Sequence, residues 1–238
     1  MSTLFGLQMR LSRLNKLKDT HTAKVVEVNQ THSPAYMAIE YVHGVSLAEI
    51  KKYNPERLSE ELVRRLLPML IKTAVQIRKH GLTLKTLTLN GIMLNDKEEP
   101  VILSSAIGYE ESDEREDVFI LAMIVAQVLS KATLYKSIYS EARLRASKFT
   151  YINGVSMDLN KILAECLHRN ITQRYASLEG LLTALAELPA LEGAEICTTL
   201  EQSVADDTNA ITEESVPKAR IELGFWILVI VVIALIVM

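Results

Sequence analysis

Residues 36–47 read Tyr36-Met37-Ala38-Ile39-Glu40-Tyr41-Val42-His43-Gly44-Val45-Ser46-Leu47. Tyr36 to Val42 has the composition of a β-strand, running through Ala38, Ile39 and Tyr41. Ser46, with Glu49 three residues later, has the spacing of a capping box, in which side chain and backbone satisfy each other's unpaired groups and open a helix.

Upstream, Ala23 to Val28 reads as a second strand. Before it, Leu7, Leu11, Leu14 and Leu17 recur at helical spacing, and Arg10, Arg13 and Lys16 between them read as a solvated helix face. Downstream, an amphipathic helix is expected from Ser59 to His80, with Leu62, Leu66, Leu70 and Ile77 on its apolar side. Pro68 inside it should kink or break it. Gly91 to Leu94 and Pro100 to Leu103, joined by Asn95, Asp96, Lys97 and Glu98, predict a hairpin. After the acidic stretch Glu110 to Asp117, the run Val118 to Leu129 is apolar on every side. It is therefore a buried helix, too short to span a bilayer. Two further helices fit Leu159 to Leu167 and Leu178 to Leu188.

Hydrophobic residues make up 49 % of the 238 residues and charged residues 23 %, the balance of a globular protein. A net charge of −3 lacks the basic footprint of a nucleic-acid binder. Cys166 and Cys197 supply neither a disulfide framework nor a cysteine zinc site, and suit a reducing compartment. The five histidines are scattered, with no two at metal-ligand spacing. No secretory signal is seen at the N-terminus.

Residues 190–220 carry Glu192, Glu195, Glu201, Asp206, Asp207, Glu213 and Glu214 among Ser and Thr, the composition of a flexible acidic linker. From Leu223 to Met238 no side chain is charged or strongly polar. At about 1.5 Å per residue this run spans roughly 24 Å as a helix, a little short of the roughly 30 Å of a hydrocarbon core. Lys218 and Arg220 before it and Trp226 near its start fit a cytoplasmic boundary. The expectation is a single-pass tail anchor over 221–238, with the preceding domain cytoplasmic.

Four local motifs resemble the protein kinase catalytic domain. Residues 36–47 are similar to the hinge. His80-Gly81-Leu82 followed by Ile92-Met93-Leu94 has the spacing of the catalytic loop. Glu116-Asp117-Val118-Phe119 resembles the start of the large buried helix. Cys166-Leu167 with Gln173-Arg174-Tyr175-Ala176-Ser177 resembles the motif near the domain's end. The resemblance implies an α+β, kinase-like domain over residues 1–189, with a mostly helical C-lobe and a reduced N-lobe.

It also implies a site stripped of its chemistry, since phosphoryl transfer depends on placing ATP, metal and acceptor. Leu84, Lys85 and Thr86 stand where the family has HRD, so Thr86 replaces the catalytic aspartate. Thr88 replaces the lysine two residues on, and Gly91 the metal-binding asparagine. Ser104, Ser105 and Ala106 stand in place of DFG, and a serine hydroxyl is no substitute for a carboxylate on magnesium. The matched region starts at the helix that usually carries a paired glutamate, and the first glutamate here is Glu27. Only about ten residues separate Ala106 from Asp117, too few for the family's activation segment. Asp117 and Arg174 would be structural, and Glu110, Glu111 or Glu114 could pair with Arg174. The hinge candidates for nucleotide contact are the backbones of Glu40 and Val42, but a pocket lacking its upper sheet would bury little ligand.

The leading expectation is a membrane-tethered pseudokinase that binds a protein partner, without ATP, metal or nucleic acid. Strand edges at Ala23–Val28 and Tyr36–Val42 would be either docking sites or covered by the N-terminal helix. A second reading is an unorthodox ATP-dependent enzyme using Asp96, Glu98, Glu99, Glu110 and Glu111, which otherwise form a solvated turn and loop. A third is the cytoplasmic part of a larger, secretion-type membrane assembly, and a degenerate remnant is a fourth.

Overall fold

The computed structural model describes residues 10–17, 21–29, 32–33, 36–131 and 139–198. The expected membrane segment lies outside these residues. Among the described residues no helix is long and apolar enough to cross a membrane.

Among the described residues, six strands form two sheets. β1 (Thr22–Ala23), β4 (Gly44–Ser46), β5 (Ile92–Asn95) and β6 (Pro100–Leu103) make a four-stranded sheet in the order β1-β6-β5-β4. β2 (Val25–Asn29) and β3 (Tyr36–Ile39) form a separate antiparallel pair. The strand expected over Ala23–Val28 is thus divided between sheets: Ala23 lies in β1, parallel to β6, while Val25 opens β2. The strand expected to reach Val42 stops at Ile39, with one further bond from the Glu40 amide to the Lys24 carbonyl (2.7 Å). The chain then crosses to the other sheet, where Val45 pairs with Leu94. A Cβ on Gly44 would lie 2.0 Å from the Leu94 carbonyl oxygen, so only glycine fits this approach.

The hairpin β5–β6 matches its sequence signal. Asn95 Oδ1 accepts from the amides of Lys97 and Glu99, each at 2.9 Å, and Glu98 takes the left-handed conformation (φ 57°) that such a turn requires. Gly91 itself ends a short 3₁₀ turn, and β5 starts one residue later.

Among the described residues, six helices with defined bounds accompany the helical residues 10–14. α1 (Leu47–Tyr53) carries the expected capping box: Ser46 Oγ accepts from the Glu49 amide, and Glu49 Oε2 from the Ser46 amide, both at 3.2 Å. α2 (Glu60–Lys79) runs unbroken through Pro68. Leu66, Leu67, Leu70, Ile71, Ala74 and Ile77 are all buried. At about 1.5–3 kcal/mol for each large apolar side chain, that face outweighs a proline penalty of about 3 kcal/mol.

α3 (Glu114–Leu129) is sheathed along most of its length, with Phe119, Leu121 and Ala126 at 0 % exposure. α2, α5 (Met157–Cys166) and α6 (Leu178–Ala186) pack around it, as a helix apolar on all faces requires. It starts at Glu114, ahead of the apolar run, because Asp113 Oδ1 accepts the Arg115 amide and caps it. α4 (Glu141–Ala146) has no counterpart in the periodicity reading. α6 ends at Ala186, two residues earlier than expected.

Part of the stretch assigned to the linker is paired with the domain. Cys197 is buried, its amide donates to Val155 O (2.9 Å), and Met157 N donates to Glu195 O (2.8 Å).

Candidate functional site

The loop after α2 and the segment after β6 meet beneath the N-terminal helical residues 10–14. The base of this junction is Asp117, fully buried at the start of α3. Its Oδ1 accepts the Leu84 amide (2.8 Å) and its Oδ2 pairs with Arg78 (2.7 Å). Burial pushes the Asp117 carboxyl above the ordinary range, against the pull of Arg78 and the Leu84 amide. Arg78 also donates to Ser112 O (2.9 Å), which ties the acidic loop to α2.

Thr86, Gly91 and Ser104 are brought close to one another around the segment 104–106. Thr86 Oγ1 donates to Ala106 O (2.9 Å). Ser104, buried, donates its hydroxyl to Ala23 O. Gly91 lies directly against Ala106: a Cβ added to it would sit 2.4 Å from the Ala106 Cβ. The space where a larger side chain would face the segment at 104–106 is therefore filled by an alanine methyl. Thr88 is exposed and precedes the 3₁₀ turn, accepting the Gly91 amide through its carbonyl (2.9 Å). Glu40 is exposed, with its amide committed to Lys24, and Val42 is half-buried.

Arg10 and Arg13 depart from the solvated face expected of them. One Arg10 terminal nitrogen donates to the carbonyls of Ser104 (3.1 Å) and Ser105 (2.9 Å), and burial lowers the guanidinium's pKa. Arg13 donates to Gly81 O (2.5 Å). Periodicity hid this, because backbone carbonyls brought close by tertiary contact have no signature in local sequence. Leu14 and Leu17 are buried as expected.

Arg174 finds a partner other than those expected. It pairs with Glu116 (3.1 Å), while Glu110 holds Lys85 (2.6 Å) and Glu114 accepts the Leu178 amide (2.7 Å). Glu116 also binds Arg145 (2.7 Å), and both guanidiniums stack on Phe119, at 4.5 and 4.4 Å from its ring. Burial would raise the Glu116 carboxyl, but the two arginines outweigh it and hold it below the ordinary range.

Of the acidic groups near the hairpin, Glu98 pairs with Arg57 (3.5 Å) and Arg65 (2.5 Å), and Glu99 accepts from Asn95 Nδ2 (3.2 Å). Among the described residues no group of three or more His, Cys, Asp or Glu is placed to hold a metal ion.

No protein-family model matches the chain, and no curated protein sequence does. Among solved structures the chain is similar to PpkA-294 in its apo form, a kinase, with a TM-score of 0.61 at 17 % identity. The match covers 77 % of this chain and 75 % of that one. The domain is therefore a mixed α+β, kinase-like fold, and at this identity the likeness speaks for the fold alone.

Proposed function

Taking the kinase-like fold as premise, we propose that this chain is a catalytically inactive kinase-like module that binds a protein partner as scaffold or regulator. A C-terminal segment over 221–238 holds it at the cytoplasmic face of a membrane. The observation that carries this reading is the contact of Gly91 with Ala106, together with the inward bonds of Thr86 and Ser104. The positions a phosphoryl-transfer site would spend on base and metal are neutral, small or bonded to backbone, and magnesium favours charged oxygen. Asp117 and the Glu116–Arg174 pair hold the large lobe together and take no part in chemistry.

The test is thermal unfolding of the full chain in nonionic detergent, with and without ATP and magnesium. A ligand at 100 times its dissociation constant adds about 2.7 kcal/mol. The expected result is no magnesium-dependent shift, with recovery of the chain in the membrane fraction after alkaline extraction. A magnesium-dependent shift would overturn the inactive reading, and alkaline release would overturn the anchor.

A further inference from the structure

Beside Thr86 lies a cavity of about 130 Å³, walled by Arg10, Thr83, Lys85, Ser105 and Tyr109. At about 30 Å³ per water there is room for roughly four, or for a tetrahedral or planar oxyanion in their place.

Two polar atoms in its walls have no partner among the described residues. Thr83 is 4 % exposed, and its hydroxyl makes no hydrogen bond. Arg10 Nε is buried and likewise unpaired, although the same guanidinium binds the Ser104 and Ser105 carbonyls. Buried polar atoms are rarely left this way, because their lost hydration goes uncompensated. The Thr83 backbone is fixed by paired bonds with Gly108 (3.0 and 2.8 Å), which hold the residue at the cavity wall.

The charge of the lining selects the ligand. Arg10 and Lys85 are cations that only donate, and Glu110 is the one carboxylate in the wall. Glu110 is bound to Lys85 at 2.6 Å, but the side chains are 56 % and 63 % exposed, so the pair is weak and exchangeable. A ligand rich in acceptors would satisfy Arg10 Nε and Thr83 Oγ1 and take Lys85 from Glu110.

We propose that this cavity is an oxyanion site, taking a carboxylate or phosphoryl group that a partner presents. The inference adds a ligand to the binding-module reading and rests on it. Magnesium-dependent ATP binding would sink that reading, whereas a flat phosphate titration would sink only this site.

The experiment titrates the full chain in nonionic detergent with inorganic phosphate at constant ionic strength, read by phosphorus NMR line width and thermal unfolding. Saturable binding is expected. Lys85→Gln should weaken it at least tenfold, and Glu110→Gln should tighten it severalfold by removing the internal competitor. Thr83→Val should weaken binding about tenfold while raising the Tm of the ligand-free protein, since it removes an unpaired buried hydroxyl. A parallel series with phosphoserine and acetate assigns the source. Tighter phosphoserine binding means a phosphorylated side chain; binding of acetate as tight as that of phosphate means an acidic one. The proposal is overturned by a flat titration of folded protein, by binding that Lys85→Gln and Glu110→Gln leave unmoved, or by a Thr83→Val variant with a lower ligand-free Tm.

Discussion

The Asp117 carboxylate receives the backbone amide of Leu84, 33 residues earlier, at 2.8 Å. This bond fixes the loop that carries Thr83, Lys85 and Thr86 to the most buried helix of the domain. With Arg78 on the other carboxylate oxygen, three parts of the chain converge on one buried group.

Asp117→Asn keeps an acceptor for Leu84 but leaves Arg78 without its counter-charge. Arg78 is 24 % exposed, so water relieves part of the cost. A loss of about 2–4 kcal/mol is expected, measured as a lower urea midpoint at unchanged m-value. A change under 1 kcal/mol would show that the pair holds nothing together.

Gly91→Ala forces a methyl against the Ala106 Cβ, at 2.4 Å before relaxation. Overpacking of this kind costs about 1–3 kcal/mol. The double variant Gly91→Ala with Ala106→Gly should recover much of the loss, and a double-mutant cycle over the two positions measures their coupling directly. Additive effects would contradict the contact.

Stability should fall on acidification partly through Glu116. Its folded-state pKa lies below the ordinary value, because Arg145 and Arg174 outweigh its burial. A depressed carboxyl contributes stability above its unfolded pKa of about 4.3, and that contribution disappears as pH falls through the folded value. Glu116→Gln should therefore be less stable than wild type at neutral pH, and the gap should close in acid. Unfolding curves at a series of pH values check this; a gap that widened in acid would reverse the assignment.

Pro68 lies inside α2 without breaking it, so its missing amide is a standing cost. Pro68→Ala restores a helix donor and should raise stability by about 1–2 kcal/mol, less than the full proline penalty because the unfolded chain also gains freedom. Chemical denaturation reads the change, and a destabilised variant would mean that the proline ring packs in a way alanine cannot replace.

Much of the local order was legible in the sequence. Ser46 and Glu49 announced the start of α1, Asn95 and its neighbours the hairpin, and the apolar run from Val118 a buried helix. These signals depend on residues a few positions apart, whose hydrogen bonds and periodicity are set within one turn or one strand. Pro68 misled for the same reason: its local cost is real, and only the buried face of α2 outweighs it.

The residues of the candidate site, Thr86, Gly91 and Ser104, were also named from the sequence. What they do was not. That Thr86 bonds Ala106, that Gly91 accommodates a methyl, and that Arg10 reaches the Ser104 and Ser105 carbonyls all depend on segments up to 95 residues apart. Arg174 had several acidic candidates within reach along the chain, and the path of α3 selected Glu116 by placing it beside Arg145, with both guanidiniums over the Phe119 ring. The sequence by itself determined which side chains stand at these positions, because that follows from residue identity alone. Tertiary structure alone decided which groups are paired and which are left unpaired around Thr83, because desolvation and partner geometry exist only once distant segments have been packed together.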